Sequence, residues 1–126
     1  MWEYFSQEEL QCRCGCRQMH MKNSFMVKIL SLRKLLQFPF KVTSAYRCPS
    51  YNQYVSTSGL QGPHTTGRAI DIAVYGEKAF QLVTSAGICG LSGIGIKQSG
   101  SFSKRFIHLD DLQLEDNFPR PNVWNY

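Results

Sequence analysis

The stretch Gly62–Val74, GPHTTGRAIDIAV, decides how this chain is read. Its first half is a turn: Pro63 follows Gly62, and Gly67 lets the backbone reverse. Its second half, GRAIDIAVY, reads as a central strand that Gly76 ends. One carboxylate, Asp71, interrupts that strand between Ile70 and Ile72. Burying it unpaired would be costly, so it requires a partner, and Arg68 or a backbone amide could serve. The turn at Gly67 also lets His64 fold back over the strand that carries Asp71.

Outward from that stretch the elements alternate. SQEEL (6–10) has the Ser-x-x-Glu pattern of a capping box and predicts a short helix. NSFMVKILSLRKLLQ (23–37) places Phe25, Ile29, Leu32 and Leu36 at helical spacing, with Lys28, Arg33 and Lys34 elsewhere on the helix, so its apolar stripe is core. After Pro39, FKVTSAY predicts a strand. Pro49 then opens a short helix in RCPSYNQYVSTSG, and Gly59 is its exit. EKAFQLVTSAG predicts a further helix with Gly87 as its left-handed cap. GIGIKQSGSFSKRFIHLDD predicts two short strands around a Gly/Ser turn. The expected fold is α+β, a small central antiparallel sheet with flanking helices. At 126 residues it forms one domain, with 1–22 a Cys-rich N-terminal segment and 23–126 the core.

The net charge of +5 favours anionic surroundings. The lysines and arginines are scattered, without a basic block or an Arg/aromatic ladder, which argues against nucleic acid as the partner. No apolar run approaches the roughly 18 residues of a membrane span. MWEYFSQEEL lacks the basic start and apolar stretch of a signal peptide. Trp124 and Tyr126 are expected to anchor the C-terminus against the sheet.

Five cysteines are present, three of them in CRCGC (Cys12, Cys14, Cys16), with Cys48 and Cys89 elsewhere. One-residue spacing is tighter than in common zinc knuckles. A zinc site completed by Cys48 or His20, reduced thiols against the core, and a disulfide from Cys48 to the cluster all stay open. A redox or metal-storage role for the segment is a third-ranked functional reading.

His64, Asp71 and His108 (in RFIHLDD) form a two-imidazole, one-carboxylate set that suits Zn²⁺ and leaves a coordination position for water. Zinc lowers the pKa of such a water to about 7, which supplies hydroxide for hydrolysis.

SAYRCPSYN, HTTGRAID and FIHLDD, in that order, resemble the zinc D-alanyl-D-alanine carboxypeptidase family of peptidoglycan peptidases. Its superfamily includes the L-alanyl-D-glutamate endolysins and the hedgehog signalling domain. The likeness runs from about Val42 to the terminal VWNY, and Pro63 stands where another residue often precedes the histidine. The resemblance implies a hedgehog/DD-peptidase-like fold and zinc ligated by His64, Asp71 and His108. It also implies that Arg47 contacts substrate near the scissile bond, where a planar cation suits a carboxylate or a developing oxyanion. Ser44 and Asn52 line the same cleft or order its turn.

One departure concerns the general base. Many relatives carry an acidic residue or histidine two or three positions before the last ligand, where this chain has Phe106 and Arg105. Strand alternation puts Asp110 on the face of His108, as a base or as a carboxylate orienting a histidine, with the base role slightly favoured. The leading expectation is a monomeric zinc peptidase, resembling compact phage-encoded proteins, that cuts an amide in peptidoglycan stem or cross-link peptides. It would be made in the cytoplasm and reach the wall after lysis or as part of a phage particle. The alternative is a non-catalytic module of the same fold that binds a wall peptide or protein, which the missing acid before His108 favours.

Overall fold

A computed structural model describes residues 2–126. Four helices, α1 (Gln7–Leu10), α2 (Asn23–Leu36), α3 (Pro49–Val55) and α4 (Gly76–Ala86), accompany five strands. The strands are β1 (Lys41–Ser44), β2 (Ala69–Ala73), β3 (Gly93–Lys97), β4 (Phe106–Asp110) and β5 (Asn122–Asn125), in the order β1-β2-β4-β3-β5. The architecture is α+β, as expected. The sheet is not purely antiparallel, because β5 runs parallel to β3 at the edge. NVWN alternates too briefly to announce a strand, and its partner is fixed by the non-local return of the chain.

The helix boundaries follow local chemistry. Ser6 and Glu9 form the capping box that starts α1, each bonding the other's backbone N–H. Pro49 occupies the first turn of α3. Gly87, expected as a left-handed cap, instead continues in right-handed geometry, and the left-handed turn falls at Gly90, one short 3₁₀ turn later.

The two faces of the sheet divide the work. Ile70, Ile72, Ile107 and Leu109 are fully or almost fully buried in one cluster with Phe25, Met26, Ile29 and Leu32 of α2 and Leu82 of α4. Phe5, Leu10, Cys12 and Met21 belong to the same cluster, so the N-terminal segment contributes to the core. The opposite face carries one transverse row through all five strands. Ser44 pairs with Asp71, Asp71 with His108, His108 with Gly95, and Gly95 with Trp124. A bulge between Val42 and Ser44 sets the first pairing.

Gly67 ends the 3₁₀ turn Pro63–Thr66 with φ +76°, a conformation that costs a non-glycine residue about 1–2 kcal/mol. A Cβ there would also run into the carbonyl oxygen of His20, whose segment is held by a 2.9 Å bond from the Lys22 N–H to the Gly67 carbonyl. Gly67→Ala is therefore expected to destabilise the fold by about 2 kcal/mol or more. A urea-unfolding midpoint equal to that of the parent protein would contradict this.

Candidate metal centre

His64, Asp71 and His108 reach one point from different parts of the chain. Asp71 and His108 are direct neighbours across the β2–β4 ladder, and the Gly67 turn brings His64 over them. All three are buried, and one ligand atom from each lies within 4.8 Å of the others. Asp71 Oδ1 is the meeting point, 3.3 Å from His64 Nε2 and 3.0 Å from His108 Nδ1.

The other nitrogen of each ring is occupied. His64 Nδ1–H donates to the Ala45 carbonyl at 2.7 Å, so Nε2 is the nitrogen that faces Asp71. His108 Nε2–H donates to Asp110 Oδ2 at 2.8 Å, which leaves Nδ1 facing inward. Asp110 is in turn gripped by Arg120, with Nε 2.9 Å from Oδ1 and Nη2 2.8 Å from Oδ2. Such outer partners fix tautomer and ring orientation around metal-ligating histidines. The free donors, two imidazole nitrogens and a carboxylate oxygen, fit Zn²⁺ with an open position.

Asp110 was expected to emerge beside the metal. It does share a face with His108, but it lies beyond the far edge of the ring. It is fully buried, and both its oxygens are engaged by His108, Arg120 and the Leu112 N–H. That geometry matches the orienting alternative better than the base. Arg68, offered as a partner for Asp71, pairs instead with Asp111 at 2.7 Å and Asp116 at 3.0 Å.

Arg47 stands at the edge of the centre, Nη2 3.8 Å from Asp71 Oδ2. Its Nε donates to Ser44 Oγ and its Nη1 to Asn52 Oδ1, both at 3.1 Å. Asn52, itself buried, is fixed by bonds from Nδ2 to Ser58 Oγ and the Gly59 carbonyl. Ser44 and Asn52 thus aim the guanidinium, and Asn52 also lines the cleft.

That cleft has a volume of about 300 Å³, with His64, Asp71 and His108 on its floor and Arg47, Trp124 and Tyr126 among its walls. The Trp124 ring lies 5.2 Å from that of His108. The sequence suggests sheet anchors for Trp124 and Tyr126; Trp124 holds a position in β5, Tyr126 follows that strand with its N–H bonded to the Ile96 carbonyl at 3.0 Å, and both also line the cleft. Room for them comes from β3: a Cβ at Gly95 would lie 2.7 Å from Trp124 Nε1, and one at Gly93 would collide with Asp110 and Arg120. Arg120 was not singled out from the sequence. Nothing local marks it, because its partner is ten residues earlier on another element.

A family model described as Peptidase M15 matches residues 3–110. The chain belongs to the Peptidase M15 family. No curated protein and no solved structure is matched by the chain. M15 peptidases are zinc-dependent metallopeptidases, and His64, Asp71 and His108 are this M15 peptidase's candidate ligands for that ion.

The buried charges have opposed shifts. Burial pushes the Asp71 carboxyl up, but attraction to the neighbouring imidazoles and hydrogen bonding with them outweigh it, and Asp71 stays well below the usual range. Burial likewise opposes charge on His108, yet its bonds to Asp110 and Asp71 raise its pKa from 6.5 to about 9. In Asp110, the His108 and Arg120 contacts overcome burial and lower the pKa to about 2. Because His108 is raised in the fold, its protonation stabilises the metal-free protein fully below pH 6.5 and ceases to do so as pH rises through 9. The metal-free protein, held in chelator, is expected to lose about 3 kcal/mol across that window. Flat melting temperatures from pH 6.5 to 9 would contradict the His108 assignment.

Proposed function

We propose that this M15 peptidase hydrolyses an amide bond in peptidoglycan stem or cross-link peptides, as a D,D-carboxypeptidase or endopeptidase. The observation that carries the reading is the convergence of His64 Nε2, Asp71 Oδ1 and His108 Nδ1 on the floor of a cleft whose wall presents an aimed arginine. Zinc bound there would supply an acidified water and polarise a carbonyl.

The chain's own residues have distinct tasks. Arg47 binds the carboxylate of a peptide ending in D-alanine, or the oxyanion as it develops, and its bonds to Ser44 and Asn52 hold it ready. Tyr126 keeps its hydroxyl proton at neutral pH, since burial pushes the phenol up, and it offers a donor to a substrate carbonyl. Trp124 walls the cleft beside His108. Asp110, charged and clamped by Arg120, holds the His108 Nε2–H so that Nδ1 stays a ligand. The protein acts as a monomer on the wall after lysis or from a phage particle. No described helix is long and apolar enough to cross a membrane.

A second reading, a zinc-containing module that binds a wall peptide without cutting it, is favoured by one observation. Among the described residues lining the cleft, Asp71 is the only carboxylate. Incubating zinc-loaded protein with purified muropeptides, beside a chelated control, decides between the two by mass spectrometry. Loss of a terminal alanine identifies a carboxypeptidase, and split dimers or freed stem peptides an endopeptidase. No product from verifiably zinc-loaded protein leaves the binding module.

The Asp110 assignment has its own test. Asp110→Asn is expected to weaken zinc binding by about 10–100-fold while excess zinc restores turnover. A variant that is saturated with zinc yet inactive would return Asp110 to the base role.

A further inference from the structure

We propose that Cys12, Cys14, Cys16 and Cys48 form a second metal centre, a closed tetrathiolate zinc site that fastens the N-terminal segment to the loop carrying Arg47. It uses none of the residues of the His64/Asp71/His108 centre, and the inference does not rest on the hydrolase reading.

The four sulfurs form one cluster, each within 4.8 Å of the others. Cys12 and Cys14 Sγ are 3.5 Å apart, and Cys48 Sγ is 3.7 Å from both. Zinc–sulfur bonds of about 2.3 Å at the tetrahedral angle put neighbouring sulfurs about 3.8 Å apart, so these separations suit four thiolates around one ion. They do not suit two disulfides, whose bonded sulfurs lie about 2 Å apart. The four thiols are also not divided into two close pairs, since Cys48 is equally near to Cys12 and Cys14.

The backbone is wound to make this cluster. In an extended chain, residues two apart share a face but sit about 6.6 Å from each other, too far for CRCGC to surround one ion. Here the segment turns on itself: Gly15 and Arg17 adopt left-handed geometry, and the Cys12 N–H closes the loop on the Gln18 carbonyl at 2.9 Å. Two backbone donors then point at sulfur, Cys48 N–H to Cys12 Sγ at 3.3 Å and Gln18 N–H to Cys16 Sγ at 3.5 Å. N–H donors stabilise negative charge on an acceptor, as a metal thiolate requires. His20 is not part of the cluster, as its ring lies against Tyr46. Cys89 is likewise outside it.

An all-sulfur set with every position filled by protein is the donor pattern of a structural zinc, with no place for a reacting water. Its position gives it a task. Cys48 directly follows Arg47 and is the N-cap residue of α3, which carries Asn52. The Tyr46 N–H also bonds the Leu10 carbonyl at 3.1 Å. The centre thereby ties the α1 segment to the turn that aims Arg47 into the cleft.

The experiment is metal analysis of protein purified under reductant and passed through a desalting column, for the parent chain, Cys14→Ser/Cys16→Ser and Cys89→Ser. Cys14 and Cys16 are exposed, so their replacement disturbs the core least. The expected result is that the double variant holds one zinc fewer per chain than the parent and Cys89→Ser. Cobalt-loaded parent should show thiolate-to-cobalt charge-transfer absorption that the double variant lacks. If the double variant does not fold, titrating the parent with a mercurial replaces it, and one zinc should leave as the clustered thiols are blocked. The two centres fail separately: a parent with a single zinc, lost in the double variant, keeps the cysteine centre and removes the His64/Asp71/His108 assignment. Equal zinc in all three chains, iron in place of zinc, or no thiolate band with cobalt would overturn the proposal. So would cysteines recovered as disulfides that bind no metal after reduction.

Discussion

A single buried carboxylate organises this molecule. Asp71 sits in a strand of Ala and Ile with almost no access to water, where an unpaired charge would be untenable. Its charge is met by His64, His108 and, at longer range, Arg47. Each of those is itself held by another group. The Ala45 carbonyl fixes His64, Asp110 fixes His108, Arg120 fixes Asp110, and Ser44 with Asn52 fixes Arg47. The result is a chain of orientation that ends on three potential ligand atoms around one point. No buried side-chain nitrogen or oxygen among the described residues is left without a hydrogen-bond partner.

The sheet makes that chain geometrically available. Because β4 lies between β2 and β3, His108 has Asp71 on one side and the bare Gly95 on the other. The absent side chain at Gly95 is filled by Trp124 from β5, and the one at Gly93 by the Asp110–Arg120 pair. A strand that reads as GIGIK therefore serves two faces: its isoleucines pack against the core, and its glycines clear space for the site. Edge strand β5, parallel to β3, closes the cleft as well as extending the sheet.

What the sequence disclosed depended on how local each signal was. His64, Gly67 and Asp71 are within one turn and strand, and their residue types state their chemistry. His108 stands out as a candidate because metal-ligand residue types are few and FIHLDD resembles a motif of a known family. Alternation correctly put Asp110 on the face of His108, but period-two reasoning carries no information about which ring nitrogen it meets, and that decides between base and orienting group. Arg120 and the strand at Val123 were invisible because their partners lie on other elements. The cysteine cluster was half-legible. CRCGC announces three sulfurs, whereas choosing Cys48 over His20 needed the loop after β1 folded beside Leu10.

In the proposed metal centre, opposite nitrogens of the two cleft histidines are reserved for one metal ion. Long-range ¹H–¹⁵N NMR of the imidazoles, with and without zinc, reads this directly. With zinc bound, His64 should be protonated at Nδ1 and ligated through Nε2, and His108 protonated at Nε2 and ligated through Nδ1, while His20 is unchanged. Two histidines in the same tautomer, or rings that do not respond to zinc, would contradict it.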